Sequence, residues 1–476
     1  MQHGERAAIW APNIYQWIIA AIGMQSIGGI LVPLINRLQG HEAADILRRS
    51  SARVLLTFPR LENGSPLEML AAHELPSLKH QVLLQDVDDR ALSWEAFLAL
   101  GDVVSDLQLQ QRIDQVSPDD IMDMLFTSGT TGKPKGVLCN HRQNIQVFTI
   151  WGNTVGLRPE DNYLIINPFF HSFGYKAGWL AAIIKGCKII PARAFDREQV
   201  MAQIERDKIT VMPGVPSMFE MILNDPQRAN YDLSSLRVCT TGGAAVPVKL
   251  VEDMRNELGF ETVVTAYGLT ESTGMVSICR PEDDADIIAG TCGRALDGIE
   301  VMCVNVATAE EVPRGEEGEL WVRGYNVMQG YFDMPEATAE TITAEGWMRT
   351  GDIGTMDERG YIRITDRLKD MYIMNGENVY PAEVEKTLYG LAGVAQVAVI
   401  GVPKQPQGEV GMAFIVKTKS AEIDESKVQD FCAAKLARYK VPFYIKFVDA
   451  LPLNASGKVL KPALKQQAQQ LLGKAV

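Results

Sequence analysis

The sequence predicts an α/β protein, with a large N-terminal domain of doubly covered sheets plus a small β-barrel, followed by a small α+β C-terminal domain. Three observations predict it. A chain of 476 residues is longer than one hydrophobic core supports. Short apolar runs at Arg6–Trp10, Ile30–Leu34 and Val54–Thr57 are interleaved with segments of helical period, as in a parallel sheet covered on both faces. The chain then changes character across Asp366-Arg367-Leu368-Lys369-Asp370, where four of five residues are charged, which divides it into residues 1–366 and 367–476.

Composition sets limits on function. The chain is 46% hydrophobic and 22% charged, which is ordinary for a globular protein. A net charge of -13 argues against general nucleic-acid binding. Seven scattered cysteines without a C-x-x-C pair read as reduced thiols of a cytoplasmic protein rather than a zinc site. The apolar stretch from Trp17 to Ile35 is near membrane-spanning length, but Gln25, Ser26, Gly28-Gly29 and Pro33 split it into a buried helix, a turn and a strand.

In chain order, Arg6–Trp10 reads as a strand and Ala11-Pro12-Asn13 as the turn into a helix from Ile14. Glu42–Ser50 is a helix, Met124–Phe126 ends a buried strand, and Asn140–Thr149 forms a helix. The strand at 163–166 delivers Asn167-Pro168-Phe169-Phe170-His171-Ser172-Phe173-Gly174 into a loop, where sites in such sheets lie. Ile209–Met212 and Leu236–Thr240 are strands, the latter ending in Gly242-Gly243-Ala244-Ala245. Pro247 opens a helix with an apolar face at Val251, Met254 and Leu258, and Gly259 closes it. The strand Thr262–Ala266 releases Tyr267-Gly268-Leu269-Thr270-Glu271. Gly318–Tyr331 is β-rich and expected in the barrel; Thr350-Gly351-Asp352 is expected to open a hairpin, with Asp352 beside its turn. Beyond the boundary, Met371–Met374, Val397–Gly401, Ala413–Lys417 and Phe447 read as strands, with helices near Pro381 and across Ser426–Leu436. Leu453–Lys458 is a loop carrying one lysine.

The stretch with the clearest chemistry is Thr127-Ser128-Gly129-Thr130-Thr131-Gly132-Lys133-Pro134-Lys135-Gly136. Three glycines and four hydroxyl residues in ten positions, with two lysines, suit a polyphosphate-binding loop. It is not the common nucleotide loop, because Pro134 follows Gly132-Lys133 and Thr127 stands where that loop has glycine. No GxGxxG fingerprint supports a nicotinamide or flavin. The stretch resembles the signature loop of the adenylate-forming superfamily, which includes acyl-CoA synthetases, firefly luciferase and amino-acid-adenylating domains. The resemblance runs from Gly4 to Lys461; the family's opening strand and helix have no counterpart ahead of Arg6.

The resemblance implies ATP, Mg²⁺ and coenzyme A as cofactors, a carboxylic acid as substrate, and a mobile C-terminal domain. It gives Thr127 to Gly132 and Lys135 the phosphates; Gly243, Ala244, Ala245, Ala266, Tyr267 and Gly268 the base; and Thr270 the α-phosphate. Glu271 would hold Mg²⁺, while Asp352 and Arg367 would contact ribose. His171 would line the carboxylate end of the acyl pocket, Lys458 would be the catalytic lysine, Lys369 the hinge, and the Gly376 loop part of the thiol tunnel. It leaves a homodimer open and implies neither nucleic acid nor stable membrane insertion.

Three strings go beyond the superfamily pattern: NPFFHSFGYKAG at 167–178, the segment 265–293, and 365–385. They look like the CoA ligases of bacterial steroid breakdown, which activate the propanoate on the fused C and D rings. Gly174, Gly178, Gly242 and Gly274 are expected to give the acid pocket width for a rigid bicycle. A medium- or long-chain fatty acid ligase, an enzyme loading a carrier protein, a luciferase-type oxygenase and an inactive adenylate-binding homologue share the same loops.

Overall fold

A computed structural model of the chain describes residues 1–127, 134–242, 246–374, 377–405, 407–418, 422–453 and 458–473, with backbone alone at 377 and 378. Packing divides the chain into two compact units. The first comprises Met1–Val301, Val322–Arg349 and Arg359–Ile362; the second comprises Met302–Trp321, Thr350–Glu358 and Arg363–Val476.

The first unit is built on an eight-stranded sheet in the order Gly330–Tyr331, Lys135–Asn140, Ile121–Thr127, Ile30–Pro33, Arg6–Trp10, Val54–Thr57, His80–Leu83, Leu92–Ser93. Arg6–Trp10 has a parallel neighbour on each side, paired as Ala7↔Leu31 and Ala7↔Val54. Helices cover such strands, so Ala7, Ala8, Ile9 and Trp10 are wholly buried and the run is apolar throughout. The stretch Trp17–Ile35 resolves into the helix Tyr15–Gln25 and the strand Ile30–Pro33, with Gly28 at φ +78° between them. Among the described residues no helix is long and apolar enough to cross a membrane.

A second sheet pairs Val238–Thr241 with Thr262–Tyr267 in parallel, then Ser277–Ile278 and Arg294–Ala295 antiparallel. The expected strand at Ile209–Met212 contracts to Val211, which bridges Tyr163 on one side and Val238 on the other. Its apolar run marks burial, not a long ladder. The helix expected at Asn140–Thr149 runs from His141 to Thr154, opened by reciprocal hydrogen bonds between Asn140 and Gln143.

Asn13 joins two parts of this unit. Its Nδ2 donates to the Asn167 carbonyl at 2.9 Å and approaches those of Ile165 and Ile166, while its Oδ1 accepts from Phe169 N–H at 2.9 Å. One buried amide thereby fixes the chain where it leaves the strand Asn162–Ile165 and enters the His171 loop.

The β-rich segment forms a four-stranded sheet, Ile299–Val304, Gly318–Gly324, Met348–Met356 and Ile362–Arg367, most of whose residues belong to the second unit. That unit also holds a five-stranded sheet centred on the antiparallel pair Val394–Lys404 and Gly408–Lys417. Ala398, Ile400, Met412 and Phe414 pack with Leu464 and Ala468, while Val397, Val399, Ala413 and Ile415 pack with Val384, Leu388 and Val428. Both faces are therefore covered.

Asn13→Ala should cost about 2–4 kcal/mol, because it removes several hydrogen bonds and strands the buried Phe169 N–H. Thermal unfolding checks the stability loss. A Tm equal to the parent's would show that Asn13 is dispensable.

Candidate functional site

In the first unit the site is organised by a reversal of the chain. Ile121–Thr127 pairs antiparallel with Lys135–Asn140, setting Phe126 opposite Gly136 and Thr127 opposite Lys135. A Cβ on Gly136 would stand 3.1 Å from the Met124 side chain and 3.2 Å from Phe126, so glycine allows this close pairing. Ser128, Gly129, Thr130, Thr131 and Gly132 lie outside the described residues; the two strands bring Thr127 and Lys135, at the loop's ends, face to face.

The Lys135 ammonium stands 4.7 Å from the centre of the Tyr331 ring. The Tyr331 hydroxyl donates to Glu271 Oε1 at 3.0 Å. Glu271 itself sits in the short turn Thr270–Ser272, where Ser272 Oγ accepts from Leu269 N–H at 2.9 Å. Thr273 follows at φ +57° and donates to the Asn326 carbonyl at 2.7 Å, and Met328 N–H donates to the Glu271 carbonyl at 2.9 Å. Backbone and side chain of Glu271 are thus both held by the segment 326–331. Ala266 and Tyr267 end the preceding strand, half-buried, and exposed Gly268 follows. A Cβ on Gly268 would fall 2.3 Å from the Gly274 carbonyl oxygen, so the turn closes only over glycine. Gly243, Ala244 and Ala245 lie outside the described residues.

His171 is exposed and opens a short turn, with its Nδ1 accepting from Phe173 N–H at 3.2 Å. The ring proton is therefore on Nε2. Ser172, beside it, lies against the Thr270–Gly274 turn: a Cβ on Gly274 would stand 3.1 Å from Ser172 Cβ. Behind this loop Tyr175 stacks on Trp179 with ring centres 4.7 Å apart, and both are fully buried. Lys176 and Asp123 form an enclosed ion pair at 3.1 Å, and Tyr175 Oη donates to Asp123 at 3.2 Å. Residues 175–178 are thus core, leaving Phe170 to Phe173 as the more accessible part of the loop.

This alters the expectation about pocket width. A Cβ on Gly174 would fall 2.1 Å from the Asn167 carbonyl oxygen and one on Gly178 would stand 3.1 Å from Ile165; Gly274 has φ +97°. Three of the four glycines thus serve close packing and a turn, while Gly242 has only the Ala266 oxygen nearby, at 3.6 Å.

In the second unit Asp352 is not beside a turn. It lies within the strand Met348–Met356, 1% exposed, and accepts from Arg367 Nε at 2.7 Å. The turn-like Thr-Gly-Asp is drawn into the strand by partners distant in sequence: Glu319 accepts from Gly351 N–H at 2.9 Å and from Trp321 Nε1 at 2.8 Å, and Thr350 donates to the Leu320 carbonyl at 2.7 Å. Lys369 and Lys458 are exposed in area, yet desolvation of the ammonium groups and the charge of Arg367 lower both pKa values, opposed at Lys369 by Asp370 and Asp352 and at Lys458 by Asp352. Arg367 is paired with the buried Asp352 carboxylate, and Lys369 and Lys458 feel the charge of both. Gly376 lies outside the described residues.

The structure therefore brings Thr127, Lys135, Thr270, Glu271 and His171 into adjoining loops of one unit, and Asp352, Arg367, Lys369 and Lys458 into one cluster of the other. Sequence reasoning missed Asn13, Glu319 and Tyr331. The third had a signal, since an aromatic residue follows a glycine in a β-rich segment. Among the described residues no group of three or more His, Cys, Asp or Glu could hold a metal. Glu271 offers a single carboxylate, which fits a hard cation carried mainly on phosphates.

Comparison with known proteins matches residues 1–332 to the AMP-binding enzyme family and 383–458 to the C-terminal domain of AMP-binding enzymes. A 3-[(3aS,4S,7aS)-7a-methyl-1,5-dioxo-octahydro-1H-inden-4-yl]propanoyl:CoA ligase of Rhodococcus jostii is 46% identical over 472 residues, covering 98% of this chain and 89% of that protein. The ligase of the same name from Mycobacterium tuberculosis is 46% identical over 467 residues, with the same coverage. The crystal structure of the anthranilate CoA ligase AuaEII in complex with anthranoyl-AMP superposes with a TM-score of 0.81 at 27% identity, covering 100% of this chain and 89% of that one.

Asp366, buried three residues before Lys369, generates a prediction. It accepts from the N–H groups of Arg367 at 2.6 Å and Ala382 at 2.7 Å, yet burial outweighs them and raises its pKa to about 6. The folded state thus holds this proton more tightly than the unfolded chain, and the stabilisation is complete below the unfolded value of 3.8. It is lost as pH rises to about 6, by on the order of 2–3 kcal/mol. Denaturant unfolding between these pH values should show Asp366→Asn losing less stability with rising pH than the parent. Parallel curves would contradict the assignment.

Proposed function

The chain belongs to the AMP-binding enzyme family, and from that premise we propose that it is an ATP-dependent carboxylic acid–CoA ligase acting on a steroid-derived bicyclic propanoate. The observation that carries the reading is 46% identity, along nearly the whole chain, to two ligases named for such an acid. Glycine-made width is not part of the support, since Gly174, Gly178 and Gly274 serve packing and a turn. The enzyme works in the cytoplasm, as a monomer or homodimer.

In the first half-reaction a carboxylate oxygen of the acid attacks the α-phosphorus of ATP. An O–P bond forms, the bond to the bridging oxygen breaks, and pyrophosphate leaves the acyl-adenylate behind. In the second, the CoA sulfur attacks the acyl carbon; a C–S bond forms, the C–O bond to AMP breaks, and the thiol proton is released. The first step brings anions together, so cations are the main catalytic resource. Residues 127–132 and Lys135 grip the β- and γ-phosphates, and Thr270 meets the α-phosphate. Tyr267 stacks on the adenine beside Gly243, Ala244, Ala245, Ala266 and Gly268. Asp352 accepts from the ribose hydroxyls with Arg367 beside it, and His171 donates at the carboxylate end of the acid pocket. Lys458 neutralises charge on the carboxylate and the bridging oxygen. Mg²⁺, held through Glu271, would neutralise phosphoryl charge. For the second step the C-terminal segment after Asp366 turns about Lys369, removing Lys458 and bringing in the Gly376 loop as part of the thiol tunnel.

The test is AMP release from ATP with a panel of acids, with and without CoA. Activity should depend on CoA, and kcat/KM should be highest for the bicyclic propanoate compared with octanoate and palmitate. A preference of about tenfold or more for either fatty acid, about 1.4 kcal/mol of transition-state binding, would overturn the steroid reading. Acyl-adenylate and pyrophosphate formation without any AMP release on adding CoA would turn attention to a carrier-protein thiol.

A further inference from the structure

Tyr331 is engaged through its backbone, its ring and its hydroxyl. Its backbone pairs with Val137 on the strand that leaves the phosphate loop, and its N–H donates to Thr338 Oγ1 at 2.9 Å. Its ring is enclosed with Val137, Cys139 and Met328, packed against Met334, Ala337 and Ile342. The residue before it, Gly330, has φ +133° and lies against Thr338, so the position is suited to glycine. From this mounting the hydroxyl reaches Glu271 Oε1 at 3.0 Å, and the ring carries the Lys135 ammonium at 4.7 Å. Two groups that the proposed function assigns to phosphate and metal thus meet on one side chain.

We propose that Tyr331 is a positioning residue that fixes the Glu271 carboxylate with one oxygen engaged and the other presented to a divalent cation on the nucleotide. The inference rests on Glu271 holding that cation. A carboxylate with one oxygen held by an O–H donor favours binding through the other oxygen alone. That suits Mg²⁺, with its compact octahedral shell, and suits Ca²⁺ less, which also accepts both oxygens of a carboxylate.

The test is calorimetric titration of ATP into the full chain without acid or CoA, in the absence of metal, with Mg²⁺, and with Ca²⁺. Tyr331→Phe keeps the ring and its packing. It should leave metal-free ATP affinity and Tm at the parent's values, reduce the affinity gain from Mg²⁺ about tenfold, and reduce the gain from Ca²⁺ less. On a Glu271→Gln background the same substitution should change nothing further, because the group it orients is gone. The proposal is overturned if Tyr331→Phe leaves the Mg²⁺ gain unchanged, lowers metal-free affinity equally, or acts additively with Glu271→Gln. A parent that gains nothing from Mg²⁺ also overturns it, while the ligase reading is judged separately by CoA-dependent AMP formation.

Discussion

The first unit depends on one pairing. Ile121–Thr127 is a parallel neighbour of Ile30–Pro33 on one side and an antiparallel neighbour of Lys135–Asn140 on the other. A parallel strand would have needed a crossover; the antiparallel partner returns at once, and the phosphate-binding sequence is the connection. Other contacts build on that reversal. Gly330–Tyr331 pairs with the returning strand, Gln329 N–H donates to the Leu138 carbonyl, and Phe332 N–H donates to the Gly136 carbonyl. The same segment holds the Thr270–Glu271 turn, and the Gly274 bend lies against Ser172. Displacing the reversal would move Lys135, Glu271 and the loop carrying Ser172 together.

The second unit is organised by charge. Asp352 is buried inside a strand, fixed by Arg367, and the pKa values of Lys369 and Lys458 are lowered, first by desolvation and then by the charge of Arg367. In the proposed function the carboxylate and phosphate of the reacting pair are the anions these cations meet.

Much of this was legible in the sequence where burial alone decides structure. Arg6–Trp10 and Val54–Thr57 fall where their apolar runs place them, because strands covered on both faces leave little ambiguity. Order of residue types singled out Thr127–Gly136 and Tyr267–Glu271, and the match of residues 1–332 to the AMP-binding enzyme family agrees with the family that order suggested. What could not be read depends on partners distant along the chain. Asp352 follows a threonine and a glycine and reads as a turn until Glu319 and Trp321 are known to hold that strand. Asn13 reads as a turn residue, although its amide secures a loop more than 150 positions away. Tyr331 reads as part of the barrel, but it pairs with Val137 in the eight-stranded sheet and its hydroxyl reaches Glu271. Glycines 174 and 274 suggested room, but glycine composition cannot separate an open pocket from a close backbone approach.

The central claim is that Lys458 serves adenylation and has no part in thioester formation. The direct measurement is Lys458→Ala in both half-reactions, followed in single turnovers: acyl-adenylate formation from ATP and acid, and thioester formation from supplied acyl-adenylate and CoA. The account predicts an adenylation rate lower by about a hundredfold or more, the scale of one lost transition-state charge partner, with thioester formation at the parent's rate. Equal loss in both would contradict it.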